Sequence, residues 1–254
     1  MKKVLLVYAH PEPRSLNGAL RQVTVETLRA LGHEVLVSDL YAMGWNPVAD
    51  ATDFLDMEAG ARLSYGRDSR RAHDAGQLAP DIAAEQAKIL AADALILQFP
   101  LWWFAPPAIL KGWIDRVFCN GFAYGLTAPG VRYSLRYGDG RLAGKRALVS
   151  VTAGGQEPHF SGRGVNGAIG DLLFPLTHGT LWYAGMDVLE PFTVLGANRV
   201  PDEQYADAAA TLKQRLAGLF TDAPIRFRKQ GGGDYDEDLR LKPGVEGART
   251  GLSH

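Results

Sequence analysis

The sequence predicts an α/β protein with a doubly wound sheet of five parallel strands, helices on both faces and a C-terminal extension. Short apolar runs alternate along the chain with longer stretches whose apolar residues have helical spacing, and this alternation is typical of βαβ units. The run at residues 94–99 (ALILQF) is almost wholly apolar and stops at Pro100, as expected for a central strand buried on both faces.

Each element follows from a local pattern of this kind. The expected strands are apolar or β-branched runs, and they fall at residues 4–9, 33–41, 94–99, 146–152 and within 183–196. The expected helices carry an apolar stripe, and several begin at a proline or a short polar residue; they fall at residues 15–31, 80–92, 109–118, 168–176 and 202–220. Residues 42–80 are expected to form a long surface excursion.

Composition limits the class of protein. The chain has 254 residues, of which 46% are hydrophobic and 22% charged, so it is long and apolar enough to bury one large core. Its net charge of -1 gives no basic surface for nucleic acid. Cys119 is the single cysteine, which excludes an internal disulfide and a CxxC metal pair. We expect a cytoplasmic protein, with no metal site, no nucleic-acid partner and no membrane span.

The first candidate site follows strand one. Ser15 is a good N-cap for the first helix, and His10 and Asn17 flank it. The free amides of the first helical turn form an anion site at the end of the strand, for which phosphate is the natural ligand. Plain helix capping without a ligand is the alternative. Neither GxGxxG nor GxxxxGK[ST] occurs here, which argues against a Rossmann fold and a P-loop.

Aromatic residues follow the central strand. Trp102, Trp103 and Phe104 come directly after its carboxyl end, where open α/β sheets bind their ligands. Three aromatic rings followed by two prolines form a stiff apolar wall, which suits a planar heterocycle. An aromatic cluster that only fills the core is the alternative.

A pair of glycines follows the fourth strand, in the sequence TAGG from Thr152 to Gly155. Adjacent glycines at the carboxyl end of a central strand let main-chain amides face a ligand without an intervening Cβ. A turn that requires positive φ is an equally common reason for such a pair. A glycine-rich loop at residues 156–167 follows.

Several segments together resemble the DT-diaphorase-type NAD(P)H:quinone oxidoreductases, which have a flavodoxin-like fold. They are HxxxxSxN at residues 10–17, SDLYAM at 38–43, QFPLWWFAPPAILKGWIDRVF at 98–118 and TAGG at 152–155. The resemblance covers residue 2 to about residue 220. It implies a homodimer with a shared active site and one tightly bound FAD per subunit, FMN being the less expected flavin. NADPH or NADH would reduce the flavin, and a quinone or related electrophilic small molecule would reoxidise it by two-electron, ping-pong hydride transfer.

The resemblance also implies a role for each matching residue. Carried over by position, the pyrophosphate would be held by His10, Ser15, Leu16 and Asn17. The flavin would be lined by Pro100, Leu101, Trp102, Trp103 and Phe104, and its ring would face Thr152, Gly154 and Gly155. The substrate floor would be formed by Trp103 and Phe104, and Tyr124 would reach across the dimer to close the pocket.

The sequence departs from that family at three positions near the site. A tyrosine and a histidine that contact the flavin in the family are Phe160 and Asn166 here, and these two complete the catalytic set with Gly154 and Gly155. Phenylalanine lacks the hydroxyl and asparagine does not carry a proton at neutral pH, so a proton relay is in question. Leu126 replaces a pocket tyrosine, which widens the substrate site. The neighbouring His159 is the candidate substitute for the relay.

Composition changes beyond Thr221, where three glycines and an acidic run occur. We expect a flavin-binding catalytic domain at residues 1–220 and an extension at 221–254 that either packs on the partner subunit or is disordered. Two other functions stay open besides quinone reduction. One is an azo or nitro reductase. The other is a non-catalytic flavoprotein, such as an electron carrier or the regulatory subunit of a transporter, although an enclosed aromatic site suits a carrier poorly.

Overall fold

A computed structural model describes residues 1–131 and 133–245. All strand pairings within its single sheet are parallel. The strands are β1 Lys3–Tyr8, β2 Glu34–Asp39, β3 Ala94–Pro100, β4 Arg146–Ala153, β5 Asp187–Val188 and β6 Phe192–Leu195. Their order is β2-β1-β3-β4-β5, with β6 also paired to β4. The predicted doubly wound, flavodoxin-like sheet is therefore confirmed.

Six α-helices connect the strands in the described part of the chain. They are α1 Leu16–Ala30, α2 Tyr65–Ala75, α3 Pro80–Ala91, α4 Ala108–Val117, α5 Ile169–Leu176 and α6 Asp202–Ala217. A π-helical segment, Thr177–Trp182, continues directly from α5. The expected surface excursion at residues 42–80 is wrong in part, because α2 lies within it. This helix was missed because its sequence, YGRDSRRAHDA, has no apolar stripe of large residues.

The sheet has one hydrophobic core on each face. Leu5 and Val7 of β1 point into a core shared with α3 and α4, whereas Val4 and Leu6 belong to a core shared with α1 and α6. This alternation follows from the period of two along a strand. Ile82 and Ile89 of α3 are buried as the helical pattern predicts, but Leu90 is 48% exposed because it lies one position off the buried stripe.

The expected fifth strand at residues 183–196 is interrupted. β5 pairs with the start of β4 and β6 pairs with its end, so the two short strands share the fifth position of the sheet. Leu189, Glu190 and Pro191 separate them, and a proline cannot donate a hydrogen bond to the ladder. The prediction of a single strand there is wrong in this detail, while its place in the sheet is confirmed.

The parallel register brings the ends of three strands to the same edge. The amide of Ala9 donates to the carbonyl of Gln98 at 3.0 Å, and the amide of Leu101 donates to the carbonyl of Thr152 at 2.8 Å. The loops that follow β1, β3 and β4 therefore start side by side. This carboxyl edge is the place where the three sequence motifs meet.

The C-terminal extension packs on the core of its own chain where it is described. The amide of Ile225 donates to the carbonyl of Val188 at 2.8 Å, and the Phe227 ring lies 6.0 Å from the Trp182 ring. Of the predicted extension, residues 246–254 lie outside the described residues. None of the described helices combines the length and apolarity needed to cross a bilayer.

Candidate active site

The loop after β1 ends in a helix N-terminus with free donors. Ser15 is the N-cap of α1, and its Oγ accepts a hydrogen bond from the amide of Gly18 at 3.1 Å. The amides of Leu16 and Asn17 have no acceptor among the described residues. A Cβ on Gly18 would lie 1.8 Å from the carbonyl oxygen of Pro13, so only glycine permits this tight approach. Unpaired amides at a helix N-terminus form an anion site.

His10 lies at the same loop. Its Nδ1 accepts from the amide of Glu12 at 3.0 Å, and its ring lies 6.3 Å from the ring of Trp102. Nδ1 also lies 3.1 Å from the carbonyl oxygen of Glu12, so either ring nitrogen can carry the proton of the neutral ring. Arg14 is bound to Glu12, with Nε 3.0 Å from Oε1, and this contact lowers the pKa of Glu12 to about 2. Arg14 is therefore engaged within the loop.

Asn17 joins the first loop to the other two. It is 2% exposed, its Nδ2 donates to Oγ1 of Thr152 at 2.6 Å, and its carbonyl accepts from Nε2 of Gln98 at 2.7 Å. Its Oδ1 is buried without a partner among the described residues. Rotating the amide by 180° exchanges the two atoms, so that Thr152 donates to Oδ1 and Nδ2 becomes a free donor. An unpaired buried polar atom is costly, and a bound ligand with an acceptor oxygen removes this cost.

The aromatic segment after β3 forms an exposed tight turn. The amide of Trp102 donates to the carbonyl of Ala105 at 3.0 Å, and the amide of Ala105 donates to the carbonyl of Trp102 at 3.1 Å. The two central residues, Trp103 and Phe104, have φ of 50° and 60°, which is the geometry of a type I′ turn. Trp102, Trp103 and Phe104 are 44%, 95% and 48% exposed. The alternative that these rings only fill the core is therefore excluded.

Bulky residues in the left-handed region are uncommon and strained. Two such residues in succession persist only where the surrounding structure holds them, and strain of this kind is concentrated at functional sites. Here the two cross-turn hydrogen bonds and the following prolines, Pro106 and Pro107, hold the turn. Pro100 and Leu101 join it to the sheet, because Pro100 is the last residue of β3.

The glycine pair after β4 adopts ordinary φ angles, since neither glycine is among the positive-φ residues. The reason for glycine is close packing: a Cβ on Gly154 would lie 2.7 Å from the Asn198 amide, and a Cβ on Gly155 would lie 2.7 Å from the Phe160 ring. The amides of both glycines have no acceptor among the described residues. The edge thus carries two further free donors.

Phe160 and Asn166 both lie against this pair. Phe160 is 7% exposed, and Nδ2 of Asn166 would lie 3.5 Å from a Cβ on Gly155. The amide of Asn166 donates to the carbonyl of His159 at 3.0 Å, which closes the loop on itself, and the His159 side chain is exposed. The four residues predicted as the catalytic set are therefore neighbours.

Asn198 is a neighbour of this set that the sequence patterns do not reveal. It follows β6, the strand beside β4 at the carboxyl edge. The break of the fifth strand displaces the expected strand end, and no motif surrounds this asparagine. Its position after the carboxyl end of a strand, where α/β sheets bind their ligands, is the one sequence feature that could have indicated a place in the site.

The remaining predicted residues lie in a different groove. Tyr124 lines a groove of about 280 Å³ together with Ile114, Thr180 and Tyr183, and none of its lining residues belongs to the aromatic turn. Burial raises the pKa of Tyr124. Leu126 is part of the same chain segment, and its carbonyl accepts from the amide of Leu135 at 2.8 Å. The single chain does not bring Tyr124 and Leu126 together with Trp103.

The sheet order and the edge described above define a flavodoxin-like α/β protein, and the model of a family described as having the flavodoxin-like fold matches residues 2–216. The chain is 47% identical over 234 residues to the ribosyldihydronicotinamide dehydrogenase-like protein traD of Penicillium crustosum, covering 92% of this chain and 86% of that protein. It is 44% identical over 225 residues to human ribosyldihydronicotinamide dehydrogenase [quinone], covering 88% and 94%.

A solved structure of a protein from Klebsiella pneumoniae, provisionally named a quinone reductase, superposes with a TM-score of 0.95. The two sequences are 49% identical, and the match covers 99% of this chain and 98% of that one. This chain belongs to the flavodoxin-like family of NAD(P)H quinone oxidoreductases.

Proposed function

We propose that this protein is a cytoplasmic flavoenzyme that reduces quinones by two electrons at the expense of NAD(P)H. The observation that carries the proposal is the convergence at one sheet edge of an exposed aromatic turn, a helix N-terminus and two unpaired glycine amides. The names of the relatives point to the same reaction. Flavin, when bound, supplies the two-electron chemistry that joins oxidation of the reductant to reduction of the quinone.

The described residues fit an FAD. The free amides of Leu16 and Asn17, the Ser15 N-cap and Nε2 of His10, in the tautomer with its proton on that nitrogen, would hold a pyrophosphate. The side-chain amide of Asn17, rotated so that Nδ2 is the unpaired atom, would gain an acceptor. FMN has one phosphate and would leave part of this donor set unused, so FAD is the better match.

The aromatic turn would bind and orient the planar ring. Trp103 and Phe104 present their rings to solvent at the end of a rigid turn, so they offer a preformed stacking surface for the ring and for a quinone. The amides of Gly154 and Gly155 would direct their dipoles at the ring edge. Fixed dipoles stabilise negative charge without reorganising during the reaction.

Phe160 and Asn166 limit how protons move. Neither side chain titrates at neutral pH, so the pair would shape and exclude water from the pocket while protons come from solvent or from His159. Phe160 packs on Gly155 and keeps the glycine amides oriented.

A homodimer would complete the site. Trp103 is 95% exposed in the single chain, and Tyr124 lies in a separate groove. A twofold partner that places its Tyr124 groove over the aromatic turn would cover both surfaces. The described part of the C-terminal extension packs on its own core, so the dimer does not depend on its exchange.

Steady-state kinetics with menadione test the proposal. We expect turnover with NADH or NADPH, and we include N-ribosyldihydronicotinamide because two relatives are named for that reductant. The flavin released by heat is identified by chromatography against FAD and FMN. Faster reduction of an azo dye than of menadione would favour the azoreductase alternative, and bound flavin without turnover on either acceptor would favour a non-catalytic flavoprotein.

A further inference from the structure

A second cavity lies between the tyrosine-bearing loop, the π-helical segment and the C-terminal extension. Its volume is about 290 Å³, which is at the lower end of the size of small-molecule sites. Arg136, Tyr137, Gln230 and Tyr235 are among its lining residues. None of the residues that line it belongs to the candidate active site.

Backbone hydrogen bonds hold the walls of this cavity. The amide of Tyr137 donates to the carbonyl of Tyr183 at 3.0 Å, and the amide of Gly138 donates to the carbonyl of Trp182 at 3.0 Å. The amide of Gln230 donates to the carbonyl of Tyr137 at 3.3 Å. The loop is thus fastened to both neighbours, and the cavity is preformed.

Arg136 gives the cavity a positive charge that no described carboxylate pairs with. Its Nε donates to Oε1 of Gln230 at 2.6 Å, and it forms no salt bridge with any described carboxylate. Arg228 also lines the cavity, but its Nη1 lies 2.5 Å from Oδ2 of Asp234. The terminal nitrogens of Arg136 form a planar fork that suits a carboxylate.

Gln230 positions the Arg136 side chain. Its side chain is held by the bond to Arg136, and the residue is 7% exposed. Its Nε2 has no partner among the described residues. Because this nitrogen is itself buried away from the cavity space, Gln230 acts on the site through the hydrogen bond that its Oε1 accepts from Arg136.

Aromatic rings complete the lining. Burial raises the pKa of both Tyr137 and Tyr235, so their hydroxyls stay protonated and do not repel an anion. Tyr137 also stacks on His178, with centroids 4.9 Å apart and 28° between planes. Rings held in this way offer flat apolar contact surface.

We propose that this cavity is a second binding site, specific for a small planar aromatic carboxylate. Arg136, held in place by Gln230, binds the carboxylate, and Tyr137 and Tyr235 contact the ring. The charge of Arg136 favours a monoanion, and the volume favours a molecule of one or two rings over a dinucleotide.

Calorimetric titration of the flavin-loaded protein with 2-naphthoate tests this site. We expect one bound naphthoate per subunit, at least a tenfold loss of affinity in Arg136→Gln, and a similar loss in Gln230→Glu, which places a like charge beside the ligand. Arg141→Gln is the matched control, because Arg141 is an exposed arginine of the same chain segment and does not line the cavity.

Menadione is added in a second titration, with all flavin oxidised. Binding of naphthoate in the presence of saturating menadione, with wild-type affinity in Arg141→Gln, supports the site. Absence of binding to the wild type, displacement by menadione, or equal affinity in the wild type and Arg136→Gln would overturn it. Thermal melts of the three variants establish that each is folded, and Gln230→Leu gives a second, uncharged change should Gln230→Glu not fold.

Discussion

At the scale of single residues, Asn17 is where the fold and the candidate site depend on each other. Its side chain and carbonyl connect α1 to Thr152 on β4 and to Gln98 on β3. The same side chain has the unpaired Oδ1. Asn17 organises the strand ends and also has a free polar group. A cofactor that binds this group should therefore raise the free energy of unfolding.

We expect Ser15→Ala combined with Asn17→Ala to weaken flavin binding by about two orders of magnitude or more. Two hydrogen bonds to a charged group are lost, each worth roughly 1.5–3 kcal/mol. Quenching of flavin fluorescence measures the affinity, and Gln22→Ala, on the exposed side of α1, is the control. Stoichiometric flavin retention by the double variant after gel filtration would mean that the phosphates bind elsewhere.

A second prediction at this scale concerns Phe160 and Asn166. Because neither titrates, the rate of flavin reduction by NAD(P)H should show no step near pH 6.5, the ordinary histidine pKa, that arises from this pair. Rapid mixing across pH 5 to 9 measures it. A step that disappears in His159→Gln would show that His159 carries the proton.

The double variant Phe160→Tyr with Asn166→His restores the tyrosine and histidine that the resembled family has at these two positions. We expect the wild type to be active and the restored pair to change its rate modestly. A nearly inactive wild type that the double change rescues would contradict the view that stacking and amide dipoles suffice.

At the scale of elements, the aromatic turn is the feature whose geometry is least explained by folding alone. Trp103 is 95% exposed, so its ring contributes little packing, while its left-handed backbone costs about 1–2 kcal/mol. The unfavourable backbone and the exposed ring are both accounted for if the turn exists to present rings to a ligand.

We therefore expect Trp103→Gly and Trp103→Ala both to impair menadione turnover per bound flavin, with little loss of stability. The glycine variant should be the more stable of the two by about 1 kcal/mol, because glycine has no Cβ penalty at positive φ. Urea unfolding and steady-state kinetics measure the two effects. Unchanged turnover in both variants would remove Trp103 from the site.

Hydrogen bonds to the buried carboxylate of Asp53 hold α2 in place. Tyr65, its first residue, donates from its hydroxyl to Oδ2 of Asp53 at 2.6 Å. Asp53 is fully buried and also accepts from Nε of Arg116 on α4 at 2.8 Å. A buried arginine and aspartate with satisfied hydrogen bonds lose much of their stabilising value if one partner is removed.

Burial and, secondarily, the Asp53 carboxylate raise the pKa of Tyr65 well above its ordinary value. The folded state therefore keeps the proton that the unfolded chain releases near pH 10, so this stabilisation is complete below that pH and is lost above it. We expect urea unfolding between pH 9 and 11 to show a decline in stability that Tyr65→Phe reduces. Tyr205→Phe, on α6, is the control and should retain the decline.

At the scale of the whole molecule, the sheet, its strand order and its helix-rich faces were predictable because buried parallel strands and amphipathic helices have strong periodic signals. The clustering of Ser15, Thr152 and Gly155 followed from topology alone. α2 was not predicted, because it has no apolar stripe and its ion pairs, Arg70 with Asp74 and Arg71 with Asp68, leave no periodic apolar signal. The break before β6 has a signal in Pro191, but the apolar residues on both sides of this proline favour one continuous strand.

Three details of the candidate site could not be predicted from the sequence pattern. The left-handed turn at Trp103 and the packing of Asn198 on Gly154 depend on tertiary contacts that leave no local sequence signal. The separation of Tyr124 from the aromatic turn within one chain likewise required the structure.

The most direct measurement is an anaerobic titration of the purified protein, followed through its visible spectrum. We predict a flavin spectrum that is bleached by one equivalent of NAD(P)H, or of N-ribosyldihydronicotinamide, per subunit and restored by one equivalent of menadione, since two electrons are transferred in each step. A colourless protein that does not take up flavin, or a reduced flavin that menadione does not reoxidise, would contradict the account.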